Sequence, residues 1–288
     1  MHSSPISAMG SASHLDISRR NLLAAAACAA ALAAPEAHAQ TSRNAVYLLV
    51  HGAWHGGWCW KKIVPLLRAR GHEVYTPTLT GLGERSHLAH RDVGLETHIL
   101  DIVNVLQYED LREVILVGHS SGGIVITGVA DRVPERLAHV VYLDAFVPED
   151  GQSLMDIIPA DRRENIERRV QAEGGGWQLP SLSPVPWDKF LHDAWAIDNE
   201  ADRQWMLPRL RPMPFKTFTD KVRRSNPVAE KLHRTFIRCL QWPHPAFDRY
   251  ADSARRTAGW SYREIAASHE PFVTHPQDLA SVLLDIAG

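Results

Sequence analysis

The sequence predicts an α/β protein: a mostly parallel sheet with helices on both faces, interrupted once by a helical cap. Three observations carry this expectation. Short, continuous apolar runs alternate with segments of helical periodicity, which implies crossover units and a sheet covered on both sides. The alternation stops after Asp144 and resumes near residue 230, with sequence rich in Pro, Trp and charge between. One apolar run, "VILVG", passes through "HSSGG" into "IVITGVADRV", a strand turning into a helix on a glycine-rich corner.

The first 39 residues are read apart from this pattern. Arg19 and Arg20 precede an apolar run from Leu22 to Ala34, and Ala37-His38-Ala39 follows Pro35. A charged start, an apolar middle and a small-residue end make a signal peptide. The run is shorter than the ~20 residues of a membrane span, so no stable membrane anchor is expected. "SRRNLL" is similar to a twin-arginine signal. The chain is therefore expected to be exported to the periplasm or beyond. N-terminal sequencing of exported protein should begin at Gln40; protein retaining residues 1–39 would contradict this.

Residues 40–288 are then read as one domain. "AVYLLV" (45–50) is a buried strand, and "WKKIVPLLRARG" (60–71) a helix stopped by Gly71. "HEVYTP" (72–77) is a second strand, followed by a loop over 78–94. Ile99, Ile102, Val103 and Leu106 fall at helical spacing in a helix opening near Glu96. "EVILVG" is a third strand, the helix after it ends before Pro134, and "HVVYLD" is a fourth strand. The cap occupies about 145–230. After it come a strand "TFIRCL" (235–240), a helix near 246–257, a strand "SYREIA" (261–266) and a last helix from Pro276.

Charge excludes some partners. The chain has 31 basic and 33 acidic residues and a net charge of -2. With no basic stripe, a nucleic-acid partner is not expected. Beyond the leader only Cys59 and Cys239 remain. Two cysteines make no disulfide framework. They read as separate buried thiols, with a single bridge left open in an oxidising compartment.

The chemistry gathers at Gly118-His119-Ser120-Ser121-Gly122. This is G-x-S-x-G, and only Ser120 has glycine at both offsets. The five-residue pattern alone is weak, because a glycine-rich helix start would match it. A strand before and a helix after give it meaning: the strained turn exposes the central hydroxyl at a helix N-terminus. A nucleophilic serine also needs donors for the oxyanion that develops on attack. The Ser121 N–H is one, and the Ala53 N–H in "HGAWHGGWCW" (51–60) is the best candidate for the second. His51 and His55 in that loop are four apart, but they lie off any helix and lack a carboxylate partner, so no metal is expected. The general base is expected late in the chain. His269 in "SYREIAASHEPF" follows the last strand, and His275 is the fallback.

These segments, with "VYLDAFVPEDG", resemble the α/β-hydrolase superfamily, in the branch of methylesterases, hydroxynitrile lyases and bacterial esterases. The resemblance covers residues 45–288 and is weakest through the cap. It implies an α/β-hydrolase fold, no cofactor, and carboxylic-ester or related amide, carbamate or lactone substrates. It makes Ser120 the nucleophile, His269 the base, and Ala53 and Ser121 the oxyanion donors. One departure is clear. The plant-type relatives carry an aspartate in the loop after the strand "TFIRCL", where this chain reads Gln241-Trp242-Pro243. Two acids could replace it. Asp248 is in the same connection but already entering a helix. Asp144 ends a buried strand beside the nucleophile's, at the carboxyl edge of the sheet, where such sites gather. The triad Ser120-Asp144-His269 is therefore expected.

Three functions compete. The first is a serine hydrolase of small apolar or aryl esters, acting through an acyl-enzyme. The second is a lyase of the hydroxynitrile type. By resemblance such lyases place threonine in the oxyanion loop and lysine beside the histidine; this chain has Gly52 and Glu270. The third is a non-catalytic binder on the same scaffold, against which the intact serine and histidine argue. His51, Trp54, Trp177, Trp187 and Trp195 are candidate pocket residues, though tryptophans are as readily packing residues.

Overall fold

A computed structural model describes residues 44–288. The expected leader lies outside them. Six strands form one sheet: β1 (Val46–Val50), β2 (Glu73–Tyr75), β3 (Val114–His119), β4 (Leu137–Leu143), β7 (His233–Cys239) and β8 (Trp260–Ile265). Their order is β2-β1-β3-β4-β7-β8, and every pairing is parallel. The remaining two, β5 (Gln178–Leu179) and β6 (Met213–Pro214), make a small antiparallel ribbon in the cap.

The continuous apolar runs have a physical cause. All six residues of β3 are buried, and so are Tyr47 to Val50 of β1. Side chains alternate between the two faces of a strand, so burial at every position means that both faces are covered. Each fully buried Leu or Val here contributes about 1.5–3 kcal/mol relative to exposure. The helix Leu95–Tyr108 shows the complementary pattern. It buries Leu95, Ile99, Ile102, Val103 and Leu106 along one stripe and packs on the helix Gly122–Arg132 that follows β3.

One expected element is split. The helix read over 60–71 is a 3-10 turn, Gly57–Lys62, and a short α-helix, Val64–Arg68. Pro65 sits in the first turn of the second piece. It has no N–H to give a carbonyl one turn back, so it starts a helix rather than continuing one. Between β4 and β7 the chain runs through short helices, the longest Ala160–Glu173, and the β5–β6 ribbon. No helix among the described residues is long and apolar enough to cross a membrane. Cys59 and Cys239 are both free and buried.

The parallel order puts the carboxyl ends of β3, β4, β7 and β8 along one edge. Two ladder bonds extend past the strand ends: Ser120 N–H donates to Leu143 O at 3.3 Å, and Asp144 N–H to Ile237 O at 2.7 Å. The residue just beyond β3 and the residue just beyond β4 are thereby fixed beside one another.

Candidate active site

Ser120 occupies a left-handed backbone conformation, φ 53°, which is costly for a residue with a Cβ and is tolerated only where the surroundings impose it. The flanking glycines make the corner possible. A Cβ on Gly118 would come within 2.9 Å of Gly122 O, and one on Gly122 within 2.8 Å of His51 O. Ser120 is half-buried, whereas Ser121 is buried. Neither the Ser121 nor the Ala53 N–H has a protein acceptor among the described residues, so both remain free to donate. Gly52, between His51 and Ala53, lies against the elbow. A Cβ there would be 2.9 Å from His119 Nδ1 and 3.0 Å from Ser120 Cβ. A threonine at this position would drive the loop away from the serine.

His269 follows β8 in a tight loop and is fixed from four sides. Its Nδ1 lies 2.7 Å from Asp144 Oδ2. Its N–H donates to Trp195 O at 3.2 Å. Its carbonyl accepts from His119 Nε2 at 2.8 Å. The Trp242 ring lies over it with centroids 3.7 Å apart. The elbow and the histidine are thus joined through His119. Ser120 Oγ and His269 form no hydrogen bond among the described residues; such bonds often tighten only with substrate in place. Burial pushes the His269 imidazole well below its ordinary pKa, with His244, His55 and Arg238 adding to the effect.

Asp144 also has positive φ, 43°, and is fully buried. Its Oδ1 accepts from Arg238 Nη1 at 2.7 Å and from Cys239 N–H at 3.1 Å. Burial raises its pKa, to about 7, against the pull of Arg238 and the Cys239 N–H. Asp248, the alternative acid, is exposed and does not reach His269; it binds the other side of the same arginine, 3.0 Å from Nε. Arg238 Nη2 also donates to Trp242 O at 2.7 Å. One buried guanidinium therefore holds Asp144, the Trp242 loop and Asp248 together.

Sequence reasoning did not single out Arg238. An arginine in "TFIRCL" carries no sign of its partner in the sequence, and the β4–β7 pairing brings it to Asp144. It positions the carboxylate and its charge disfavours proton uptake by the Asp144–His269 pair. In Arg238→Gln the pair should gain a proton more readily, so the acid limb of kcat/KM moves to higher pH. Arg238→Lys keeps the charge and should leave the limb near its original place. An unchanged limb in Arg238→Gln, with only a lower melting temperature, would reduce the arginine to a packing role.

The other expected site residues are placed as follows. His51 gives Nδ1–H to Gly52 O at 2.8 Å and takes Leu79 N–H on Nε2 at 3.0 Å. Both nitrogens are spent on backbone, so His51 ties two loops together. Its pKa is pushed down to about 3 by burial. His275 is half-buried and bonded to Thr274. Trp54, Trp187 and Trp195 pack on one another, and Trp54 also on Phe218. Trp177 joins no such cluster; its carbonyl accepts from Phe215 N–H at 2.8 Å in the cap ribbon. The tryptophans are mainly a packed wall between cap and sheet. The crevice beside Gly52 and Ser121 holds only about 10 Å³ of free space and is lined mostly by apolar residues, among them Leu79, Leu82, Val125 and Met213, with Phe218. Phe218 connects wall and pocket.

A family model described as "Alpha/beta hydrolase family" matches residues 47–282. The chain belongs to this family. It is 38% identical over 246 residues to the carbendazim hydrolyzing esterase of Nocardioides sp. (strain SG-4G), covering 82% of this chain and 97% of that protein. It is 28% identical over 251 residues to putative methylesterase 11, chloroplastic, of Arabidopsis thaliana, covering 84% of this chain and 63% of that one. Among solved structures, an extracellular alpha/beta-hydrolase from a Paenibacillus species matches with a TM-score of 0.72 and 25% identity, over 84% of this chain and 98% of the other.

Proposed function

We propose that this protein is a serine hydrolase of carboxylic esters. The single observation that carries the proposal is the 2.7 Å contact between His269 Nδ1 and Asp144 Oδ2 at the sheet edge that also presents Ser120. An ionised Asp144 can only accept, so His269 keeps its proton on Nδ1 and presents a bare Nε2. That nitrogen takes the Ser120 proton as Oγ bonds to the ester carbonyl carbon. The electron pair moves onto the carbonyl oxygen, which receives the Ala53 and Ser121 N–H groups. Collapse breaks the C–O bond, the alkoxide leaves with the proton from His269, and a Ser120 ester remains. Water, deprotonated by the same histidine, releases the acid.

The relatives support an esterase reading, since one is named for hydrolysing carbendazim and others are named methylesterases. The mostly apolar lining beside Gly52 and Ser121 supports small apolar or aryl substrates; carbamates, amides and lactones undergo the same acyl transfer. The hydroxynitrile-lyase reading is disfavoured, because the loop needs Gly52 to approach Ser120.

A fluorophosphonate probe should label the protein, with peptide mapping placing the adduct on Ser120. A panel of aryl, alkyl and lactone esters, with carbendazim, then ranks substrates. An adduct on Ser121, or hydrolysis insensitive to the probe, would refute the mechanism.

A further inference from the structure

Glu270, next to the candidate base, is fully buried, and neither carboxyl oxygen has a hydrogen-bond partner among the described residues. A dehydrated carboxyl without partners is costly and calls for a physical reason. Its neighbours are imidazoles with committed tautomers. His119 Nε2 contacts the His269 carbonyl, which only accepts, so the proton is on Nε2 and Nδ1 is a bare lone pair. That Nδ1 is buried and unpartnered too. His55 commits its Nδ1–H to Ala53 O at 2.7 Å and brings a bare Nε2 to 3.5 Å from Glu270 Oε2. His269 has its Nδ1 on Asp144. One ligand atom from each of His119, His269 and Glu270 lies within 4.8 Å of the other two.

We propose that Glu270, His119 and His269 form a site for a divalent transition-metal ion of the zinc class, and that the ion competes with catalysis by occupying His269. Two imidazole nitrogens and a carboxylate suit zinc rather than calcium or magnesium, which take oxygen sets. Each histidine already has its remote nitrogen on a carbonyl or carboxylate, the outer contact that metal-bound histidines show. Tetrahedral bonds of about 2.1 Å bring ligand atoms to about 3.4 Å from one another, so the three side chains draw together on binding. His55 is close enough to Glu270 to support the set.

The inhibitory half of this inference rests on His269 being the base; the binding half does not. The full chain, stripped with a chelator, is titrated with zinc chloride by calorimetry, and in parallel while hydrolysing p-nitrophenyl acetate. Wild type should bind one ion and lose hydrolysis with the same midpoint. Glu270→Gln should hydrolyse the ester at the wild-type rate without zinc, and need at least about tenfold more zinc for both effects, since even outer-contact losses cost about 10–100-fold in affinity. Should Glu270→Gln not melt like wild type, Glu270→Met, uncharged and close in volume, takes its place. Equal midpoints in wild type and variant, or no binding by wild type, would overturn the site. Binding weakened by the variant with hydrolysis untouched by zinc would overturn the competition and count against His269 as base.

Discussion

Ser120→Ala is expected to lower kcat by about 10⁶, the scale on which loss of a serine nucleophile acts in a serine protease. The variant keeps the elbow, because alanine at φ 53° has the same Cβ strain as serine, and the Ser121 and Ala53 donors remain. What is lost is the only hydroxyl that the corner lifts clear of the sheet. Ser121→Ala is the control. Its side chain is buried beside the helix start, and its expected contribution is a backbone N–H that alanine also supplies. Turnover should then fall little. Both variants are measured on one aryl ester after circular dichroism shows unchanged folding. Undiminished turnover by Ser120→Ala would remove the acyl-enzyme, and with it the serine-hydrolase reading.

Much of this arrangement was legible in the sequence because its causes are local. β1 and β3 are buried on both faces, so they appear as uninterrupted apolar runs, and the helix Leu95–Tyr108 is buried on one stripe, so it appears as a period near 3.6. Ser120 could be picked out because glycines at both offsets are a steric demand of the turn itself. Asp144 could be favoured because a carboxylate ending a buried strand must find partners there. What could not be read depends on which strands become neighbours. β4 and β7 are separated by the cap in sequence but adjacent in the sheet, and that adjacency alone carries Arg238 to Asp144. The tryptophans were ambiguous as pocket markers for a related reason. A large aromatic ring is equally suited to lining a cavity and to filling one, and Trp54, Trp187 and Trp195 meet each other first. The role of His51 could not be read either, because its position in the loop is close to the chemistry while both its nitrogens are turned to backbone.

Asp144→Asn should lower kcat by about 10⁴, as the equivalent replacement does in a serine protease, which is about 5 kcal/mol of transition-state stabilisation. The direction follows from who faces the two carboxyl oxygens. Oδ1 receives two donors, Arg238 Nη1 and the Cys239 N–H, so an asparagine must turn its carbonyl oxygen there. Its NH₂ is then forced toward His269 Nδ1. A donor at that place obliges the ring to accept on Nδ1 and carry its proton on Nε2, where it can no longer take the proton of Ser120. The ring stays in place, held by Trp195 O, His119 and Trp242, so binding of substrate should change far less than turnover. Asp248→Asn tests the competing acid. Asp248 is exposed and touches the buried Arg238 from outside, and it makes no contact with His269, so its loss should leave kcat within a few-fold. Comparable melting temperatures for the two variants separate chemistry from folding. If Asp248→Asn were the damaging change and Asp144→Asn the mild one, the acid would come from the β7–β8 connection after all, and the contact between Asp144 and His269 would be structural only.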